Sequence, residues 1–418
     1  PFYATGVGNE FSYHNSPILA FLVPFSAIIP APYVLYLFTA LSIAVSAIPI
    51  YLIAKENLEK ESLSLFIGTS YIMLPVFIGQ IYGAFHEINL VLPFLTFAFY
   101  FFSKERFYPF VAMSFMALAV KEDVTLPVFI FAVYALIKGR EKKWYIVPAI
   151  FSISWLLLST KVIIPYFANA DYPPILSYFS HKGTTLGEIV MNTVFKPIET
   201  FAGMMKPLKL YYLFVLLSPM ALVLPFFSIE VIFSLPSLFL NIMGDSARLT
   251  VMKWDSRWGI LLIPPNMSLM PTVFLFISTI YSLKKIRTRF TKVASIATTI
   301  VVLLMFFGII YNNGFVLSKE LYERPSYVAS SSSIKRIISL IPRHATVKTP
   351  PDVAIQLYDR KEVYFSGSEV ETDYVVLYGN FLVYPPSSLS SSSYLMVDAD
   401  DNPIYNTFRQ SRDKTPAC

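Results

Sequence analysis

Cysteine is all but missing: Cys418, the last residue, is the one thiol in 418 residues, which excludes an internal disulfide and a thiolate metal cluster. Charge is scarce too. Asp, Glu, Lys and Arg make up 14% of the chain, against about 25% in soluble domains, so an ordinary soluble fold is excluded. Glycine numbers only 15, and a collagenous or glycine-rich disordered chain is ruled out with it. No Walker A, GxSxG, HExxH or GxGxxG string occurs, which leaves ATP hydrolysis, serine hydrolysis, zinc proteolysis and dinucleotide binding without support. What is abundant is apolar. Hydrophobic residues reach 55%, with 37 Phe and 27 Tyr, mean hydropathy is +0.57, and several apolar runs approach or exceed the roughly 18 residues of a membrane span. The chain reads as a polytopic membrane protein.

Hydropathy predicts spans near 33–54, 62–83, 88–102, 107–120, 124–138, 145–165, 208–228, 230–243, 260–283 and 293–313, ten crossings in all. Four short connections are strongly basic: Lys55 to Lys60, Lys104 to Arg106, Lys138 to Lys143, and Lys284 to Lys292. Counting spans puts all four on one side, which the positive-inside rule makes cytoplasmic. The net charge of +6 therefore reports topology, and no nucleic-acid partner is expected. Segments 107–120 and 124–138 are short. Merging them into one helix would strand Lys121, Glu122 and Asp123 near mid-bilayer at about 2.5–3.5 kcal/mol each, so two short helices meeting at a recessed wet turn are expected.

Residues 17–32 are apolar but short and rich in Pro, which predicts an interfacial or re-entrant helix on the outer face. After Tyr311 the composition turns polar, with Ser runs at 330–333 and 390–393. A helix from Ser333, a strand at ATVKT, a short helix at DVAIQLY and strands at EVYF, DYVVLYG and YLMV are read there. The expected fold class is thus mainly α: a helical bundle of ten to eleven spans over 33–313, preceded by an outer loop and interfacial helix at 1–32. A small extracytoplasmic α/β domain over 314–418 follows. The sequence opens on Pro1 without Met, and a natural segment ahead of it is expected.

The outer face collects the candidates for chemistry. Glu10 and His14 stand in NEFSYHNSP, His86 and Glu87 in GAFHEIN, and Lys121, Glu122 and Asp123 in the KED turn, with Lys161 near the end of the sixth span and Arg248, Asp255 and Arg257 before the ninth. Each alone reads more blandly as a cap, an interface residue or a solvated turn. Three carboxylate-bearing turns on one face, embedded in apolar sequence, favour a site. Carboxylate and imidazole supply a general base or ligands for a hard divalent cation such as Mg or Mn, and Lys and Arg supply phosphate recognition. That set suits group transfer from a lipid phosphate or diphosphate donor.

Three strings, HNSPILAFLVPFSAIIPAP, YGAFHEINLVLPFLTFAFY and ALAVKEDVTLPVFIFAVYALIKGR, resemble the predicted membrane protein family known as domain of unknown function 2079. LPSLFLN, an Arg-Trp loop with IPP, SLIPRHATVKT, YDRKEVYFSG and TDYVVLYG match the order of its later motifs. That family in turn resembles the GT-C superfamily of polytopic glycosyltransferases, which take sugars from polyprenyl-phosphate donors at the outer face. The resemblance marks His14, His86, Glu87, Lys121, Glu122 and Asp123. It places the key acid in a first outer loop, upstream of Pro1 or at Glu10.

The expectation is a GT-C-type transferase in the cell membrane, passing a sugar from a polyprenyl-phosphate carrier to a lipid, glycan or protein acceptor. Glu10 or an upstream Asp would act as base; Lys121, Lys161 and Arg257 would hold donor phosphate; His14, His86, Glu87, Glu122 and Asp123 would complete the catalytic set. Two rivals remain: a carrier or flippase for a lipid-linked saccharide, although no internal repeat is visible, and a non-catalytic subunit of a larger membrane assembly.

Overall fold

The computed structural model describes residues 2–3, 10–82, 85–168, 179–244, 252–255, 259–262, 266–292, 294–313, 338–349, 357, 360, 363–365, 373–376, 393–397 and 403–406. Helix dominates. In chain order the helices are α1 (Ala31–Leu58), α2 (Glu61–Ile72), α3 (Pro75–Tyr82), α4 (Val91–Ser103), α5 (Phe107–Leu118), α6 (Thr125–Ile137) and α7 (Lys143–Leu158). They continue with α8 (Ile164–Ala168), α9 (Leu186–Phe195), α10 (Pro197–Met204), α11 (Pro207–Leu217), α12 (Leu235–Met243) and α13 (Leu269–Arg289), and a last helix, α14, covers Ala294–Asn313.

Four helices among the described residues are long and apolar enough to cross a membrane: Ala31–Leu58, Lys143–Ala168, Asn266–Arg289 and Ala294–Asn313. A fifth candidate is the pair Glu61–Ile72 and Pro75–Ile81, bent by 46°, where Pro75 removes a backbone donor just past a helix end. The remaining expected spans are shorter apolar helices, including Glu87–Ser103, Phe107–Leu118 and Pro207–Met220. Helices 107–120 and 124–138 of the sequence reading are separate, broken at Lys121, whose extended backbone (φ −165, ψ 151) cannot continue a helix.

Three expected spans, at 208–228, 230–243 and 260–283, depart in part from continuous helix. Residues 218–233 are three 3-10 turns, Ser218–Met220, Leu224–Phe227 and Ile229–Phe233, because Pro219 and Pro225 interrupt the helical ladder and Ala221 and Leu222 adopt positive φ of 54° and 56°. The predicted span at 260–283 starts later: Met252–Asp255 and Gly259–Leu262 pair as antiparallel strands β2 and β3, and the helical run begins at Asn266.

The core is built around α13. Of its span window 83% is buried, against 17% for Lys143–Ala168 and 22% for Ala294–Asn313, so α13 is the central post while those two helices expose apolar flanks such as Ile150, Leu157, Leu303 and Phe307, as lipid contact requires. Phe99, Phe131, Phe233 and Phe274 interlock around it, with Phe131 and Phe233 centroids 4.7 Å apart and Phe233 stacked on Phe274 at 5.2 Å. Three of its buried hydroxyls are satisfied: Thr272 and Thr279 donate to the carbonyls of Ser268 and Leu275 at 2.6 and 2.9 Å, and Ser278 reaches Pro225 O at 2.6 Å. α14 docks on the first 3-10 turn through Gly308. A Cβ there would overlap the Ser218 carbonyl, and Asn312 closes the contact with an amide donated to Ser218 Oγ at 2.9 Å.

The four basic connections gather at one end. Lys104 pairs with Glu56 at 2.8 Å, Arg140 donates to Phe102 O at 2.7 Å, and Lys284 donates to Asn57 Oδ1 at 3.0 Å. Glu87 opens the 3-10 turn that feeds α4 and Lys104 follows its last residue, so the His86–Glu87 turn lies at the opposite end.

Strands are few. β1 (Phe2–Tyr3), β4 (Val347–Thr349), β5 (Val363–Phe365), β6 (Tyr374–Val376), β7 (Ser393–Val397) and β8 (Pro403–Asn406) form one sheet in the order β1-β5-β4-β6-β7-β8. Its pairs are parallel except β7 with β8. Four expected strands are recovered; the expected helix at DVAIQLY lies outside the described residues but for Leu357. Buried Arg360 donates to the carbonyls of Ile338, Ile341 and Pro342.

Candidate functional site

The N-terminal string is sewn onto the recessed turn. Pro17 starts the 3-10 helix Pro17–Leu22 at a position where no donor is needed, and the next amide, Ile18 N, donates to Ala119 O at 3.0 Å just past α5. This contact brings residues 10–16 alongside Lys121, Glu122 and Asp123. A buried loop must satisfy its backbone, and Glu122 does so here. Its carboxylate accepts His14 Nδ1 at 2.8 Å on one oxygen and the Asn15 N–H at 3.0 Å on the other, while Asn15 Nδ2 donates to Ser159 Oγ at 2.8 Å. Ser159 opens the π-helical turn Ser159–Ile163, the kind of helix irregularity that frequents functional sites.

A second buried pair lies beside the first. Lys121 Nζ reaches Glu87 Oε1 at 2.6 Å, each side chain 9% exposed. Both carboxylates stand where a helix begins, Glu87 ahead of α4 and Glu122 ahead of α6, so the unsatisfied amides and helix dipole favour their charge. Asp123 occupies the same turn, and its Oδ1 is buried without a hydrogen-bond partner among the described residues. So are both amide atoms of Asn89 and the hydroxyl of Ser16.

The sequence-predicted residues divide accordingly. His14 with Glu122, and Lys121 with Glu87, are joined by direct contacts as two pairs, and Glu10 and His86 feel the charges of both. Lys161 lies on the π turn but is exposed and has no ion-pair partner among the described residues. Arg248 and Arg257 lie outside the described residues, as does the side chain of Asp255. Asn15, Asn89, Ser16 and Ser159 carry no charge to single them out in the sequence; the first three sit inside the same HNS and HEIN strings, but Ser159 follows a plain apolar run. Among the described residues no three His, Cys, Asp or Glu side chains are arranged to hold a metal ion.

The electrostatics follow from burial and pairing. Burial opposes charge on His14, yet the hydrogen bond to Glu122, aided by nearby carboxylates and resisted by Lys121, raises its pKa above the ordinary 6.5. His86 goes the other way: burial lowers it, with Glu87 opposing, which favours neutral imidazole near pH 7. Glu10, exposed as a residue, is nevertheless raised by burial around its carboxyl and by the charge of Glu87, with His14 and Lys121 pulling it down.

A stability consequence follows for His14. A raised folded-state pKa means that the pair with Glu122 contributes fully below the unfolded value of 6.5 and is lost as pH rises through the folded one. Wild-type protein is expected to exceed His14→Gln by on the order of 1 kcal/mol at pH 6, the difference shrinking toward pH 9. Thermal unfolding in detergent at both pH values checks it; a gap that widens with pH would contradict the assignment.

The chain belongs to the family described as predicted membrane protein (DUF2079), whose pattern matches residues 1–400. A comparison with curated proteins found no match.

Proposed function

We propose that this member of a predicted membrane protein family is a glycosyltransferase of GT-C type, moving a sugar from a polyprenyl-phosphate-linked donor to an acceptor at the end of the bundle opposite the basic connections. The observation that carries the reading is the array of half-buried His14 with buried Glu122, Lys121 and Glu87 at that end, beside the unpartnered Asp123 Oδ1. Ionisable groups held in an apolar bundle are costly and mark function. A chain with no nucleotide or hydrolase motif is left with acid–base and phosphate chemistry.

In this reading an acceptor hydroxyl attacks the anomeric carbon, the bond from that carbon to the donor phosphate breaks, and the polyprenyl phosphate leaves with the bonding electrons. Glu10 or Asp123 takes the hydroxyl proton. Lys121 keeps Glu87 ionised and has two further N–H donors for donor phosphate, assisted by Arg257 and Lys161. His14 and Glu122 fix the N-terminal string, and His86 hydrogen-bonds acceptor or donor. The acids of this cluster are not arranged to hold a divalent cation such as Mg or Mn among the described residues, and no step here depends on one. Membrane lipids surround the bundle, and other membrane subunits are compatible partners. The test is transfer by purified protein reconstituted with a polyprenyl-phosphate sugar: intact transfer after replacing His86, Glu87 and Asp123 together with Ala would remove these residues from the site.

The same reading counts the short apolar helices as crossings, giving about ten over 33–313. It sets the basic connections in the cytoplasm and places residues 1–32 and the domain at 314–418 outside the plasma membrane. Sidedness is checked with cysteines in a Cys418→Ser background. Thr184→Cys on intact cells is expected to react with a membrane-impermeant maleimide and Lys142→Cys only after lysis; the reverse pattern would invert the topology.

One observation favours a second reading, a non-catalytic subunit. Both ion pairs are mutually satisfied, as a structural lock would be. Reconstituted chain that never transfers sugar alone but co-purifies with a transferase would support it.

A further inference from the structure

Away from the acidic cluster, a cavity of about 520 Å³ opens between α9, α10, the start of α11 and the end of α12. Its wall carries Lys182, Lys196, Lys206 and Lys209 against one carboxylate, Glu199. The frame is built. Lys182 Nζ donates to Thr200 Oγ1 at 2.9 Å and Asn192 Nδ2 to Lys182 O at 2.7 Å, Lys209 is 3% exposed, and Phe179, Ile189 and Met243 pack beneath. Lys196 and Lys206 have no ion-pair partner among the described residues. Lysines gathered around one hollow repel one another, and an anion between Lys196 and Lys206 relieves that repulsion.

The outer faces of the same two helices say what kind of anion. α9 and α10, of 10 and 8 residues, are roughly 15 and 12 Å long and cannot cross a hydrocarbon core of about 30 Å. Asn192, Lys196, Glu199 and Gly203 line the cavity. Val190, Val194, Phe195, Ile198, Phe201 and Met205 project away, Ile198 84% and Phe195 71% exposed. Such helices lie in the membrane interface with their apolar side among acyl chains. A free phosphate would use the lysines and leave that face unexplained.

We propose that this cavity binds the phosphate monoester or diphosphate headgroup of a membrane lipid, the tail leaving along the apolar face of α9 and α10. Lys196 and Lys206 reach the phosphate oxygens as mobile point charges, Lys182 and Lys209 line the floor, and Glu199 rejects headgroups with excess negative charge on its side. The site does not rest on the transferase reading and stands whether or not the chain moves sugar.

Gly203 offers a test that leaves every charge in place. A Cβ there meets no atom within 4 Å, so Gly203→Leu adds bulk to the cavity wall from a position with open space around its first carbon. The measurement is binding of dioleoyl phosphatidic acid to the full chain in detergent, by native mass spectrometry and thermal shift. Phosphatidic acid is expected to bind, dioleoyl phosphatidylcholine not to, and Lys196→Glu with Lys206→Glu, or Gly203→Leu alone, each to weaken binding about tenfold. Unfolding without lipid should stay near wild type for Gly203→Leu. Unchanged affinity in both variants would overturn the site. Equal binding of phosphatidylcholine would overturn the phosphate assignment, and displacement of the lipid by an equal concentration of inorganic phosphate would overturn the lipid.

Discussion

Lys121→Met is expected to destabilise the protein by about 3–5 kcal/mol, because it leaves Glu87 buried and charged with no counterion. The pair is tight, at 2.6 Å with both side chains 9% exposed, and Lys121 also stands among Asp123 and Glu122, whose charges support it. Glu87→Leu alone should cost less, since the ammonium group loses its hydrogen-bonded partner but still faces Asp123 and Glu122. The double variant Lys121→Met with Glu87→Leu should recover most of that loss, since well-packed apolar groups replace a buried pair at little net cost. Reversible unfolding in mixed micelles of the four proteins of this cycle gives the coupling directly. Additive losses in the double variant would mean that the pair is solvated and that the turn is not a locked element. Activity carries separate information: a double variant that is stable yet inactive in transfer assigns the pair to function, and a stable, active one assigns it to architecture alone.

Much of the helical layout is legible in the chain because charge and hydropathy act at the scale of whole segments. Lys104 to Arg106 and Lys138 to Lys143 mark helix ends, and the structure joins those ends through Arg140 and Phe102 O. The break at Lys121 is legible for the same reason: three ionisable residues in succession cannot sit inside one long apolar helix. Hydropathy fails where backbone geometry decides. LSPMALVLPFF is as apolar as any span, yet Pro219 and Pro225 and the left-handed backbone of Ala221 and Leu222 turn it into 3-10 pieces that wrap α13. At 260–283 the apolar run GILLIP counts as helix by composition, whereas β-branched and aliphatic residues opposite MKWD pair as strands.

In the site, the charged members announce themselves by type, since Glu and His in apolar strings are rare. Their uncharged partners do not. Asn15 and Ser159 are joined at 2.8 Å across 144 positions of sequence, and neither periodicity nor spacing encodes such a contact. The direct pairing of His14 with Glu122, 108 positions apart, is likewise a tertiary fact. Sequence reading gathers both residues on one face but cannot say which acid accepts the imidazole. That distinction matters, because it separates the acid engaged in holding the N-terminal string from the acids still open to substrate.

Asp123→Asn is therefore the substitution expected to affect transfer most specifically. Glu122 already accepts from His14 and from the Asn15 amide, and Glu87 from Lys121, so both are committed as acceptors. Asp123 Oδ1 is buried with no partner among the described residues, and Glu10 is held above the usual carboxylate range by burial and by Glu87, which brings its basicity closer to neutral pH. Replacing a general base by its amide removes proton acceptance while keeping shape, and losses of about 10²–10⁴ in kcat are typical. If Asp123 is the base, Asp123→Asn loses kcat on that scale with KM little changed, and Glu10→Gln loses far less; the reverse order assigns the base to Glu10. Because the amide keeps the side-chain volume and the Asp123 Oδ1 receives no hydrogen bond to lose, stability should move by less than about 1 kcal/mol. Thermal unfolding of the same preparation then separates a lost proton acceptor from a lost fold. Full activity in both variants and in their combination would leave the cluster without an open base, and the charged array at this end of the bundle would then be read as the lock that holds residues 10–22 against the turn at Lys121.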